Sequence, residues 1–294
     1  MRATKPSPSA IGLPIALLLA AMVSIQVGAS LAKQLFPLVG AEGATTLRLL
    51  FAAAILLAAW RPWRFPLTGA TAPWIVAYGA ALGAMNLLFY LSLNTIPLGV
   101  AVALEFTGPL ALAMVASRRP LDFVWALVAA AGVALLLPLG AYASPLDPTG
   151  VVLALGAGLC WALYIICGRR AGATHGGQAT AYGMTVAALV AAPLGAIHAG
   201  PTLLAMTVLP MAIAVALLSS VVPYSLEMYA LTRIPTRTFG ILMSAEPAVA
   251  ALAGLALLGE FLAPLQWTAI ACVIGASAGS AAGARAKPVA PAPP

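Results

Sequence analysis

Between Leu13 and Gly283 the chain is a succession of apolar runs, most of them close to 20 residues long and nearly free of charge. About 20 residues is the length an α-helix needs to cross the hydrocarbon core of a bilayer. Lipid offers the backbone no hydrogen-bond partner, so runs of this kind must satisfy their own amides and carbonyls as helices. Charges, prolines and glycine-rich turns divide the chain into ten spans: 13–32, 43–60, 73–93, 97–116, 122–139, 149–167, 179–197, 207–231, 237–258 and 265–283. A water-soluble alternative is excluded by composition: 63% of the residues are hydrophobic and 7% charged, against about a quarter charged in soluble chains. The run from Ile11 to Ile25 behind Arg2 and Lys5 resembles a secretory signal, but it continues into further spans without a polar cleavage region and reads as the first span.

The basic residues orient the spans. Twelve of the 14 (Arg2, Lys5, Arg61, Arg64, Arg118, Arg119, Arg169, Arg170, Arg233, Arg237, Arg285 and Lys287) fall on one side of a ten-span layout. The other side holds Glu42, Asp147, His198 and Glu260, with Lys33 as its base. The positive-inside rule puts both termini in the cytoplasm. The net charge of +7 is therefore a topology signal and not a nucleic-acid footprint. Cys160, Cys167 and Cys272 lie in apolar runs without neighbouring His or carboxylate ligands, so neither a disulfide framework nor a metal site is expected. No H-E-x-x-H or Walker loop occurs, and no cofactor is expected.

The chain also repeats itself. YLSLNTIPLGVAVALEFTGP (Tyr90–Pro109) and MYALTRIPTRTFGILMSAEP (Met228–Pro247) align at an offset of 138, matching Ile96-Pro97 to Ile234-Pro235 and Pro109 to Pro247. A repeat of five spans is an odd number, so its two copies must be inverted in the membrane, as in secondary transporters that bind substrate near the midplane. The expected architecture is thus an all-α integral membrane protein of ten transmembrane helices in two inverted five-helix repeats. Residues 1–12 form a cytoplasmic tail, 13–139 the first repeat, 149–283 the second, and 284–294 a disordered cytoplasmic tail. Pro109, Pro223 and Pro247 are expected to kink their helices, and the small residues of Gly79–Gly83 and Gly156–Gly158 to permit close helix crossings.

A charge at the bilayer centre costs at least about 2.5–3.5 kcal/mol on insertion scales, so each one points to a cavity or a partner. Glu105 stands about 12 Å into span four and Arg48 about 8 Å into span two, from the same outer side. The arginine fork suits either Glu105 or a substrate carboxylate, and an amino-acid zwitterion would satisfy both groups. Glu246, in the sequence SAEPA, is one turn out of register with Glu105, whose repeat counterpart is Met243. Glu105 and Glu246 are also the candidates for proton coupling. Glu227 is expected to form a local ion pair with Arg233 or Arg237. Gln26, Asn86, Tyr90, Trp161, Tyr164 and Tyr224 are the candidate polar and aromatic cavity residues.

Four stretches carry a family resemblance: Ser24–Ala41, Phe89–Trp125, Leu153–Ala173 and Pro223–Ala248. They resemble the EamA branch of the drug/metabolite transporter superfamily, and within it the threonine/homoserine exporters, over about residues 11 to 280. The resemblance implies a multi-pass efflux carrier of the bacterial inner membrane for small amino acids such as L-threonine and L-homoserine. It brings no established set of site residues. A small-molecule substrate and the lipid bilayer are the expected partners, and a monomeric carrier is compatible with the layout. Two alternatives stay open: a carrier of drugs or aromatic metabolites, and a non-transporting scaffold. Small multidrug carriers typically place an acid in their first span, and span one here has none.

Overall fold

The computed structural model describes residues 8–64, 69, 71–115, 120–136, 146–175, 177–231, 233 and 236–283. These are almost entirely helical. Helix α1, Pro8–Trp60, is two arms joined at Gly40, whose φ of 69° is the left-handed conformation that a glycine adopts without strain. Helix α2 is Ala72–Ser92, α3 Leu98–Val115, α4 Pro120–Leu136, α5 Pro148–His175 and α6 Gly177–Ala199. Two further helical paths are broken. Helices α7 (Leu209–Ala216) and α8 (Val222–Leu231) flank a π-helical turn, Leu217–Val221. Helices α9 (Thr236–Met243) and α10 (Glu246–Ala253) meet at Ser244-Ala245, and a second π turn, Gly254–Leu258, follows α10. Helix α11, Pro264–Gly283, ends the described chain.

The sequence signals and the helices differ in instructive places. The first span was expected to stop at residue 32, yet the helix continues to the kink at Gly40 and carries Lys33 and Pro37 within it. Pro109 sits inside α3 without interrupting it. Pro247 instead follows a true break, in the first turn of α10, where its missing amide would go unused anyway. The Arg118-Arg119 pair and the 284–294 tail lie outside the described residues.

The distribution of polarity is that of a protein dissolved in lipid. Phe123, Leu127, Ile197 and Phe261 are each at least 71% exposed, while Gln26, Arg48, Asn86, Glu105 and Glu246 are all below 9%. By length and composition, five of the described helical stretches can cross a bilayer: Gly12–Trp60, Ala72–Ser92, Pro148–Ala171, Gln178–Leu204 and Ile241–Leu258.

Without a hydrophobic drive between helices in lipid, small residues set the contacts. A Cβ on Gly79 would run into the Gly183 carbonyl, and one on Gly83 would come within 2.9 Å of the Ala187 carbonyl, so α2 lies against α6. Helices α3 and α5 cross at Gly108 and Gly158. A Cβ on Gly108 would overlap the Gly158 carbonyl, and one on Gly158 would stand 2.6 Å from the carbonyl of Glu105. The closest of these crossings therefore sits at the level of the acid in α3.

Candidate functional site

Fifteen residues line a cavity of about 220 Å³ among α1, α2, α3, α5, the first π turn, α8, α9 and α10. Its charged walls are Arg48, Glu105, Glu227 and Glu246, with Gln26, Asn86, Trp161, Tyr164 and Ser219 as further polar or aromatic groups. Seven of the nine residues expected to bind substrate thus meet at one place. Tyr90 stands behind the wall, fully buried, and the side chain of Tyr224 lies outside the described residues.

Arg48 is held by neutral acceptors. Its Nη1 donates to Tyr90 Oη at 3.1 Å, Nη2 to the Ser219 carbonyl at 3.2 Å, and Nε to Ser220 Oγ at 3.4 Å. The guanidinium carbon also lies 5.3 Å from the Tyr90 ring centroid. Among the described residues no carboxylate comes within 4.0 Å of it, so the Arg48–Glu105 ion pair that their similar depth allowed is not formed. The π turn explains the hold on Arg48. One extra residue in the turn rotates Ser219 and Ser220 toward α1, and Gly28 leaves the room: a Cβ there would collide with Ser219 Oγ. π turns of this kind are frequent at functional sites.

Also on the cavity wall, Gln26 Nε2 donates to Glu246 Oε1 at 3.3 Å. Glu246 opens α10 at the break, so the acid stands in the first turn of a half-helix, where exposed amides favour negative charge. Asn86 Nδ2 donates back to the Leu82 carbonyl at 2.8 Å, which settles one of its donors within its own helix. Trp161 packs edge-on to Phe106 at 5.4 Å, and Tyr164 stacks on Tyr78 at 4.8 Å. Five buried side-chain N or O atoms among the described residues lack a hydrogen-bond partner. Four of them belong to residues of this one cavity: Gln26 Oε1, Ser219 Oγ, Glu227 Oε1 and Glu246 Oε2. Buried polar atoms are usually paired, so their concentration marks a place designed for something polar.

Glu227 lines the cavity beside the other two acids. Arg233, expected as its ion-pair partner, lies 3.6 Å over the Tyr229 ring and donates to the Tyr229 carbonyl, and the side chain of Arg237 lies outside the described residues. Sequence reasoning did not single out Ser219 as a wall residue. For Glu227, by contrast, the signal was the offset of 138: three pairs of wall residues, Gln26 and Tyr164, Phe89 and Glu227, and Glu105 and Met243, are separated by that number. Applied systematically, it would have brought Glu227 to the wall. The string Gly275–Gly279 spells G-x-S-x-G but lies inside α11, where Ser277 accepts a hydrogen bond from Ser244 at 2.8 Å, so it is a helix-packing contact and no nucleophile elbow. The described residues contain no group of three or more potential metal ligands.

Comparison with known proteins decides the lineage. The threonine/homoserine exporter RhtA of Escherichia coli (strain K12) is 57% identical over 268 residues, 91% of each chain. This chain belongs to the EamA-like transporter family. Residues 148–281 match that family directly. The threonine/homoserine exporter RhtA of Salmonella typhimurium (strain SL1344) is 55% identical over 276 residues, 94% of each chain. A protein crystal structure of 20% sequence identity superposes with a TM-score of 0.58, covering 90% of this chain and 96% of its own, a likeness of fold alone. EamA membership makes the chain one of a family of transporters and not an enzyme. The cavity is built by stretches on both sides of residue 148, so the part of the chain matched to the family supplies only some of its walls.

Proposed function

We propose that this protein exports small amino acids, L-threonine and L-homoserine foremost, across the bacterial inner membrane by alternating access at this cavity. One observation carries the reading. Arg48 is buried in the cavity wall with only neutral acceptors around it, in the same 220 Å³ space as Glu105 and Glu246. A zwitterion supplies the carboxylate that Arg48 lacks and the ammonium that the acids lack. The guanidinium fork takes the substrate carboxylate, Glu105 or Glu246 takes the ammonium, and Tyr90 steadies the arginine from behind. Gln26, Asn86, Trp161 and Tyr164 shape the remaining walls, and Tyr224 is assigned to them by its offset of 138 from Asn86. Three acids face one arginine, so a proton can replace the ammonium on Glu105 or Glu246 once substrate leaves, which couples efflux to the proton gradient.

The names of the relatives support the cargo. The 138-residue pairing of wall residues supports ten helices in two inverted halves, 13–139 and 149–283, and the one-sided placement of twelve basic residues supports cytoplasmic termini. The cavity is small beside the roughly 300–1,000 Å³ of pockets that take drug-sized ligands, and this favours an amino acid over a multidrug substrate. A competition assay in reconstituted vesicles tests the choice. Unlabelled homoserine should suppress uptake of labelled threonine while a hydrophobic cation does not. Suppression by the cation alone would refute the assignment.

A further inference from the structure

Above the cavity a second constellation joins distant parts of the chain. Lys33 Nζ donates to Glu260 Oε1 at 2.6 Å, and Glu260 Oε2 accepts the backbone amide of Leu98 at 2.7 Å. One carboxylate therefore ties the first arm of α1 to the N-terminus of α3. Leu98 opens α3, so its amide is one of the orphan donors of a helix start, and a carboxylate there is well placed electrostatically. The acid is held in this pose. Gly259, at φ 67°, turns the chain out of the π helix, the Glu260 amide donates to the Gly254 carbonyl at 3.0 Å, and a Cβ on Gly254 would stand 2.5 Å from Glu260 Oε2. The side chains of Lys33 and Glu260 are only 25% and 14% exposed, so water screens the pair less than it would an open surface bridge.

The register of this clamp matters more than its strength. Lys33 is seven residues beyond Gln26 on α1, and Leu98 is seven residues before Glu105 on α3. Seven residues are about two turns, so in each helix the clamp residue stands on nearly the same face as a cavity residue and about 10.5 Å along the axis. Both steps lead toward the same end of the molecule, the end that carries Glu42, Asp147 and His198.

We propose that the Lys33–Glu260–Leu98 clamp is the outer gate of the cavity: it closes the exit while substrate loads and must open to release substrate. The gate rests on the transport reading above. Closure leaves each clamp group partnered, and opening exposes Lys33 and Glu260 to water and frees the Leu98 amide, so the two states are separated by polar contacts that hydration can replace. That makes the clamp reversible, which a purely apolar plug at the same level would be less able to be.

The test uses the full-length protein with Cys160, Cys167 and Cys272 replaced by serine and Met85→Cys placed in the cavity wall. A membrane-impermeant maleimide added from outside reads the gate without any need for substrate. Lys33→Met and Glu260→Gln should each raise the labelling rate about five- to tenfold, the population shift expected from losing one partly buried, charge-assisted contact. The swapped pair Lys33→Glu with Glu260→Lys should bring the rate part of the way back, since the ion pair returns while the Leu98 cap does not. Unchanged labelling in both neutral variants would overturn the gate, as would a rise that the swapped pair leaves undiminished. In a second arm, Lys33→Cys and Glu260→Cys are joined by a reducible bis-thiosulfonate linker. Efflux should stop and return on reduction, and undiminished efflux from the linked protein would overturn the proposal. If labelling responds as expected but threonine is not transported, the cargo assignment fails and the gate stands.

Discussion

Gln26 donates its side-chain amide to Glu246 across 3.3 Å, joining residues 220 positions apart on the wall of one cavity. The remaining oxygen on each of the two side chains, Gln26 Oε1 and Glu246 Oε2, is buried without a protein partner. The contact is long for a charge-assisted bond, whose donor–acceptor distance is usually about 2.7–2.9 Å. It reads as a resting arrangement that a better partner can displace.

Replacing Glu246 by glutamine separates shape from charge. The amide can still accept from Gln26, so substrate exchange down its own gradient should persist. Proton-driven accumulation should be lost if Glu246 carries the proton. Vesicle transport with and without an imposed proton gradient measures both, and full gradient-driven transport in the variant would assign the proton to Glu105 instead.

Arg48→Ala removes the cation that the proposed substrate carboxylate needs. Hydrogen bonds to charged groups contribute about 1.5–3 kcal/mol, which corresponds to a loss of about ten- to a hundredfold in apparent affinity. Arg48→Lys should recover little, because lysine lacks the fork that reaches Tyr90 and Ser219 together. Direct binding to the purified protein checks the ranking, and wild-type affinity in Arg48→Ala would remove arginine from the site.

Tyr90→Phe keeps the ring beneath Arg48 and deletes the hydroxyl that accepts from it at 3.1 Å. A hydrogen bond to a charged group contributes about 1.5–3 kcal/mol, so apparent affinity should fall about tenfold or more with little change in thermal stability. Arg48 then keeps its bonds to the Ser219 carbonyl and Ser220 Oγ, and maximal transport rate should suffer less than affinity. Initial-rate measurements over a range of threonine concentrations separate the two.

Gly28→Ala places a Cβ against Ser219 Oγ and 2.9 Å from the Ser219 amide. Overpacking of this kind costs about 1–3 kcal/mol, and it pushes on the turn that holds Arg48. Gly275→Ala, at a helical position with nothing within 4 Å, is the control and should be neutral or slightly stabilising. Thermal unfolding in detergent compares them, and equal melting temperatures would contradict the close approach of the π turn to α1.

Much of this was legible in the sequence, for physical reasons. Lipid permits few backbone solutions, so the apolar runs reveal where helices lie, and burying a charge is costly enough that Arg48, Glu105 and Glu246 had to converge on a cavity or on partners. What hydropathy does not encode is which faces meet. The sequence assigns Lys33 and Glu260 to the same side of the layout, but their 2.6 Å contact depends on the helix running on to Gly40 and on the left-handed turn at Gly259. The wall position of Ser219 depends on one surplus residue in a helical turn, and LLSSV looks like any other apolar stretch. The break at Ser244-Ala245 was hinted at by Pro247, yet Pro109, its repeat counterpart, leaves α3 unbroken. Proline alone therefore did not distinguish a discontinuous helix from a continuous one.

The most direct test of the account is counterflow of labelled L-threonine into proteoliposomes preloaded with unlabelled threonine. The wild-type protein should show a transient overshoot of label, enhanced when a proton gradient is imposed, and Arg48→Ala and Glu105→Gln should abolish it while still inserting in the membrane. Absence of counterflow in the wild type, or an undiminished overshoot in both variants, would contradict a zwitterion bound between Arg48 and the cavity acids.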